Sequence, residues 1–361
     1  MSRYATGAAL LVCAFMATSV QAQDALDLDL EAAPPSTLAW SGDVLAREDV
    51  FRSVTGGPEV TRTWARLRYG PTWQINDQWL LAGAIRVNES TVGNDRVVPN
   101  HDNERSRDLA LDTLALTYTP TPDTRVQLGK SAFPFELSRM LWDPDLRPAG
   151  VFGSQRFDFG TDNTFQITGG GFRGEQMFGD QSRITALQLG LNLHQTATVS
   201  PEFLLTELHY TRTDALAAAG LARGNPVAGG RYTNTYRILD AQFVLHVNTA
   251  IPLRVLVDGA RNLDAPDNLD QAGRMEFVVG NSNRASGMEA GLAIERIQRA
   301  AVLAAFNDDD WWFHAAMHGS MLWWGYGVTD RVRLRAGFFY EQPDGASSHT
   351  RRLMLDLQWR F

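Results

Sequence analysis

Three arginines, Arg62, Arg66 and Arg68, stand at even spacing around Trp64. On an extended strand, where successive side chains point to opposite faces, they share one face. Arg331, Arg333 and Arg335 repeat the pattern near the C-terminus, with Arg352 on the following segment and Arg254 on an earlier one. Guanidinium groups stay charged at any working pH, so such a wall would favour anions and orient dipolar solutes. Asp240, Asp258, Glu207, Glu289 and Glu295 are expected to point the same way from other alternating segments, setting an acidic wall against the basic one. The plainer reading is that these charges neutralise each other in a wet interior.

Other residue patterns speak for less. His318-Gly319-Ser320 puts a histidine and a serine two apart, with His314 on the same face, which is expected to look inward. Nucleophilic catalysis needs a base and an orienting group within hydrogen-bond reach, and the surrounding residues carry no further hydrolase motif. His314 and His318 would lie roughly 13 Å apart on a strand, too far for a shared zinc. Asp308-Asp309-Asp310 reads as a solvated acidic turn. There is no glycine loop for phosphate in a strand-to-helix setting. Cys13, the only cysteine, sits in an N-terminal apolar run, so disulfides and cysteine metal sites are not expected. No cofactor is implied.

The segment from Phe133 to Phe159 has no clean period. It holds two prolines in Pro144 and Pro148 besides Pro134, and many large apolar residues. Loops this long are functional or disordered, and its aromatic content argues for packing. Folded into an interior it would narrow a passage, with Glu136, Arg139, Asp143, Asp145 and Arg147 as constriction residues. The alternatives are a packed external lid and a plain hairpin.

The elements that must position these residues are strands. Leu353, Leu355, Leu357, Trp359 and Phe361 fall on one face of the C-terminal segment; Arg352, Met354, Asp356, Gln358 and Arg360 fall on the other. Ala186 to His194, Leu239 to Val247 and Arg331 to Glu341 alternate in the same way. Such a strand, ending on an aromatic residue, reads as the last strand of an outer-membrane β-barrel, apolar toward lipid and polar toward the lumen. Arg3, the apolar stretch Ala8–Val20 and Val20-Gln21-Ala22 form an export signal over residues 1–22. Residues 23–37, with Pro34-Pro35, read as a short flexible periplasmic leader, and 38–361 as the barrel.

The whole chain carries a net charge of −8, and loss of residues 1–22 removes one cation, Arg3. That balance excludes a nucleic-acid partner. Mean hydropathy is −0.22, with no long apolar run beyond the signal, as expected when the membrane face is hidden in alternation.

Turn-rich breaks of short and long type alternate along the chain. Short ones lie at Asn76-Asp77, Thr119–Asp123, Asn248–Ile251 and Val328–Asp330. Longer ones span Ser90–Arg107, Asp214–Asn234, Asn262–Ala285 and Gln342–His349. With the C-terminus in the periplasm, short turns fall inside and long loops outside, provided one strand lies near Gly150 to Gly160. The count comes to about sixteen strands, within two, and Arg274 to Gly280 is a further candidate strand. Trp311, Trp312, Trp323, Trp324, Tyr326, Tyr340 and Trp359 are expected in interfacial girdles.

Gly129-Lys130, then Phe133-Pro134-Phe135, then Leu141-Trp142-Asp143-Pro144-Asp145-Leu146-Arg147-Pro148-Ala149-Gly150, together with the Phe306–Trp311 turn, resemble a bacterial family of outer-membrane β-barrel porins. The resemblance covers most of the chain beyond residue 22, and its motifs carry no substrate. It implies an all-β, transmembrane antiparallel β-barrel with a long inward-folding loop. The implied role is a passive aqueous channel for small hydrophilic solutes, with anions preferred if the arginine walls are open. Expected partners are outer-membrane lipid, the barrel-assembly machinery through Phe361, the solutes themselves, and further copies in a homo-oligomer. The rival readings are a plugged-lumen barrel serving adhesion or assembly, and a barrel hydrolase.

Overall fold

The computed structural model describes residues 37–52, 59–91, 102–174, 181–194 and 198–361. The export signal and all but the last residue of the leader lie outside them. Eighteen strands and one short helix follow in chain order: β1 (Thr37–Arg52), β2 (Val60–Asn76), β3 (Trp79–Ser90), β4 (Asp108–Thr121), β5 (Thr124–Lys130), β6 (Ala149–Phe159), β7 (Asn163–Arg173), β8 (Arg183–Asn192), β9 (Val199–Thr211), α1 (Asp214–Ala218), β10 (Val227–Ala228), β11 (Arg231–Tyr232), β12 (Tyr236–Val247), β13 (Leu253–Asn262), β14 (Gln271–Gly280), β15 (Met288–Ile297), β16 (Met317–Gly327), β17 (Val332–Pro343) and β18 (Thr350–Arg360). Sixteen of the strands close into one antiparallel barrel; β10 and β11 form a separate hairpin inside a loop.

The seam between β1 and β18 closes the ring and removes the free edges that lipid could not satisfy. Beyond the last paired strand residue, the Phe361 amide and carbonyl exchange bonds of 3.0 and 2.9 Å with Gly42. A Cβ on Gly42 would stand 2.4 Å from the Arg68 carbonyl oxygen and 2.9 Å from the Phe361 ring. The glycine therefore makes the seat in which the terminal ring stacks on Tyr69 at 5.9 Å.

Leu187, Leu322 and Leu355 are exposed while their strand neighbours are buried, and Leu109 and Leu128 are exposed beside less accessible neighbours. An apolar surface of that extent in a closed barrel is a lipid-facing belt. Trp40, Tyr69, Trp73, Trp324, Tyr326, Trp359 and Phe361 gather at the end of the barrel that holds Phe361.

Two expectations about elements change. The break from Asn262 to Ala285 is not one loop: β14 occupies its second half, pairing with β13 and β15. Its outward side chains, Met275, Phe277 and Val279, alternate with Arg274 and Glu276 facing inward. The stretch was obscured because Gly273 and Gly280 both fall within a strand of only ten residues. With β14 in place, residues 298–316 become a nineteen-residue loop at the outer end. The aromatic girdle also loses members. Trp311 and Trp323 are buried inside the barrel, and Trp312 packs on Phe51 at 4.7 Å between ring centres.

Candidate functional site: a lumen crossed by two loops

The loop 131–148 leaves the barrel wall at Gly129, whose φ of +128° and near contact with Leu114 only glycine tolerates. A Cβ there would lie 2.2 Å from the Leu114 carbonyl oxygen. The loop then crosses the lumen. At one side the Gln188 side chain of β8 accepts from the Glu136 amide at 3.1 Å and donates to its carbonyl at 2.9 Å. Gln242 of β12 donates to the same carbonyl at 3.2 Å. At the other side Asp145 accepts from Arg66 at 2.7 Å and Arg68 at 3.1 Å, both on β2. In the ring β2 and β12 are eight strands apart in either direction, so the loop spans a diameter.

A second loop, 298–316, folds in beside it. Backbone bonds knit the two: the Asp143 amide donates to the Phe306 carbonyl at 2.7 Å, and the Asp308 amide to the Arg139 carbonyl at 3.0 Å. Trp142 stacks on Phe306 at 5.4 Å. Asn225, from the loop after β9, accepts from the Ala304 amide and donates to the carbonyls of Arg299 and Val302. Glu341 of β17 accepts from the Trp312 and Phe313 amides. Ala300 to Phe306 are almost fully buried, so the two loops and the inward side chains of β7–β9 form an apolar core inside the outer half of the barrel.

The arginine wall is present and heavily paired. Arg62 bridges Asp49 and Asp102, and Arg352, 1% exposed, holds Asp49 at 3.0 Å from across the seam. The two sequence clusters therefore meet through one carboxylate. Arg66 and Arg68 also reach Glu104, and Arg68 reaches Asp112 at 3.1 Å. Arg47, unmarked by the sequence pattern, joins Asp310 at 2.6 Å to Asp356 at 2.8 Å. Trp64 lies 5.6 Å from the guanidinium carbons of Arg47 and Arg66.

The remaining residues are placed as follows. Asp240 and Asp258 are buried on the inner wall behind 131–148. Arg254 is partly exposed and pairs with Glu276 at 2.8 Å. Arg139 is held by Asp308 at 2.6 Å and Asp310 at 3.1 Å. Arg147 lies 3.6 Å from Asp112, and Asp143 is buried beneath Asn103 at 2.6 Å. Glu136 remains exposed. Arg333 and Arg335 face the lumen at the periplasmic end of β17. Arg333 donates to Gln358 at 2.6 Å, and Arg335 lies over Trp323 at 5.3 Å. Among the described residues neither has a carboxylate within 4 Å, and the same holds for Arg125 on β5, which the sequence did not single out. Arg331 sits in the turn before β17 and is exposed.

Four expectations are corrected. Asp308 to Asp310 are not a solvated turn: Asp308 and Asp310 are buried, Asp309 is half-buried, and all three are bonded, because 298–316 folds inward. Glu207 faces outward and pairs with Arg237 at 2.7 Å, since the inward positions of β9 are Thr206 and Leu208. His318 and Ser320 face outward with Leu322, since Met317, Met321 and Trp323 occupy the inner face of β16. Among the described residues no hydrogen bond joins His318 and Ser320, and the nearest acid to His318 is Asp344 at 3.9 Å. His314 lies in the loop and bonds Asn307.

Position within the loops sets protonation. Burial pushes Asp143 well above the usual carboxylate range, helped by the negative charges of Asp309, Asp145 and Asp308. Two residues on, burial also raises Asp145, but Arg66, Arg68 and Arg147 outweigh it and hold that carboxyl well below the usual range. The oxygens of Asp143, Asp308 and Asp309 lie within 4.8 Å of one another. Arg139 and Asn103 already supply donors there.

No protein-family profile and no curated sequence matches the chain. Solved structures do. OprB of Pseudomonas putida is 14% identical, with 90% of this chain and 94% of that chain covered and a TM-score of 0.61. A porin of Rhodopseudomonas blastica is 11% identical, covering 90% and 100%, with a TM-score of 0.54. OmpT of Vibrio cholerae, in a trimer form, is 10% identical, covering 91% and 100%, with a TM-score of 0.51. The fold is that of the outer-membrane porins. With its apolar outer belt, a porin-type barrel of this kind resides in the bacterial outer membrane.

Proposed function

We propose that the chain is a passive diffusion channel for small hydrophilic solutes. It would be exported through residues 1–22, carry a short leader over 23–37 and form the barrel from 38 onward. The observation that carries this reading is the loop 131–148, tied to opposite walls of a closed barrel so that it narrows the bore. The charged side chains that keep contact with water beside it are Glu136, Arg139, Asp145 and Arg254.

Anion preference is assigned to the periplasmic half. The outer-half arginines are neutralised by acids, and an ion-paired guanidinium exerts little net field on a passing ion. Arg125, Arg333 and Arg335 have no such partner among the described residues. Phe361, seated against Gly42 and Tyr69 at the closing seam, is the residue through which the barrel-assembly machinery would recognise the chain. The trimer form of one structural neighbour supports assembly of this chain as a homo-oligomer.

A second reading rests on the apolar core between the two loops. Ala300 to Phe306 fill the outer half as a globular interior does, which suits a plugged barrel with an adhesive or assembly role.

Planar-bilayer recording separates the two. Stepwise conductance from folded protein is expected, and its absence would leave the plugged barrel. Replacing Arg333 and Arg335 by glutamine is expected to move the reversal potential toward cations, and replacing Arg331 to move it less. An unchanged potential removes the pair from the selectivity assignment.

A further inference from the structure

The lipid-facing wall carries a basic notch at its outer end. Arg173 of β7 and Arg183 of β8 are paired in register, face outward and are exposed. Arg212, just after β9, is exposed beside them and held at a φ of +57°. Together with Ala149, Gly171 and Thr185 they line a cavity of about 570 Å³. Among the described residues neither Arg183 nor Arg212 has an acid within 4 Å. Glu207, an outward acid lower on β9, is taken by Arg237.

Below the arginines the wall is cut back. Gly171 lies between Val151 and Thr185, and one row further in Gly169 lies between Gly153 and Leu187. These outward glycines leave a furrow one side chain deep. A Cβ on Gly171 would meet nothing within 4 Å, and one on Gly153 would meet only the Arg125 carbonyl oxygen at 3.9 Å.

We propose that this notch binds a phosphate-bearing lipid of the outer leaflet, its headgroup phosphate on Arg183 and Arg212 with Arg173 alongside, and an acyl chain in the glycine furrow. The chemistry is complementary at both ends. Guanidinium forks match phosphate oxygens, and a shallow apolar trough flanked by Val151 and Leu187 accepts a hydrocarbon chain where a smooth wall would not. The arginines lie at the end of the barrel opposite Phe361, where the outer-leaflet headgroups stand. The inference rests on that topology and not on the channel reading, so conductance and lipid binding fail independently.

The test is native mass spectrometry of the full folded chain in detergent, titrated with bisphosphorylated lipid A, with the dephosphorylated lipid as control and inorganic phosphate as competitor. Wild type is expected to retain one bisphosphorylated lipid and to lose it on dephosphorylation. The double variant Arg183→Ala, Arg212→Ala is expected to bind roughly thirtyfold more weakly, at about 1 kcal/mol for each basic residue near the headgroups. A Cβ at Gly171 meets nothing within 4 Å, so Gly171→Leu, which fills the furrow, should fold normally and bind more weakly while the arginines stay intact. Equal binding of both lipids, or unchanged binding in either variant, overturns the proposal. Displacement of the lipid by millimolar inorganic phosphate assigns the notch to free phosphate and overturns it too.

Discussion

The loop 131–148 is held at its two ends by different physics. Toward β2 it is held by charge: Asp145 sits between Arg66 and Arg68, in a network that includes Glu104, Asp112 and Arg147. Toward β8 and β12 it is held by neutral groups, with the Glu136 backbone clasped by the amides of Gln188 and Gln242. Charge pairs are strong where buried but depend on both partners being present. Amide bonds are worth less and are indifferent to salt and pH. One end of the constriction is thus conditional on protonation, and the other is not.

The charged side can be broken most severely at the seam. Arg352→Ala leaves Asp49 fully buried with Arg62 as its remaining partner, and is expected to cost roughly 3–5 kcal/mol in urea unfolding of the refolded barrel. Asp145→Asn should cost less, about 2 kcal/mol, because its carboxylate is partly exposed and Arg66 and Arg68 keep Glu104 and Asp112. That difference should shrink in about 1 M salt, where the Debye length falls to ~3 Å. Gln188→Leu, at the neutral end, is expected to cost about 1 kcal/mol and to keep that value in high salt. If the two ends respond to salt alike, the contrast between them is wrong.

Asp143→Asn should have the smallest effect and the opposite sign. The folded state holds Asp143 above its ordinary value of about 3.9, so it costs stability as pH rises above that value. Asparagine removes the cost, giving a modest gain at neutral pH that disappears at low pH. Asp145 is the reverse: its folded value is depressed, so its contribution is present above about pH 4 and lost as pH falls. Stability profiles of the two variants from pH 3 to 8 should therefore depart from wild type in opposite directions at neutral pH and converge on it as pH falls. Matching profiles would show that the arginine cluster does not separate the two carboxyls.

Much of the fold was legible because a strand in a membrane barrel writes itself locally. β18 and β17 each show their faces within ten residues. β14 was less legible because Gly273 and Gly280 interrupt its pattern, and a glycine reports neither face. The inward course of 131–148 was readable from its aromatic content and lack of period. That of 298–316 was not, because an alanine-rich run followed by Asn307-Asp308-Asp309-Asp310 has the composition of a solvent-exposed turn.

By itself the sequence determined the class of fold, the strand parity and the first inward loop. Period-two alternation is a property of neighbouring residues, so it needs no knowledge of the rest of the chain. Only the tertiary structure decided which arginines are neutralised. Arg47 meets Asp310 and Arg352 meets Asp49 across some 260 and 300 residues of chain. Those meetings follow from ring closure and from the two loops crossing the same bore, and no local pattern encodes either distance.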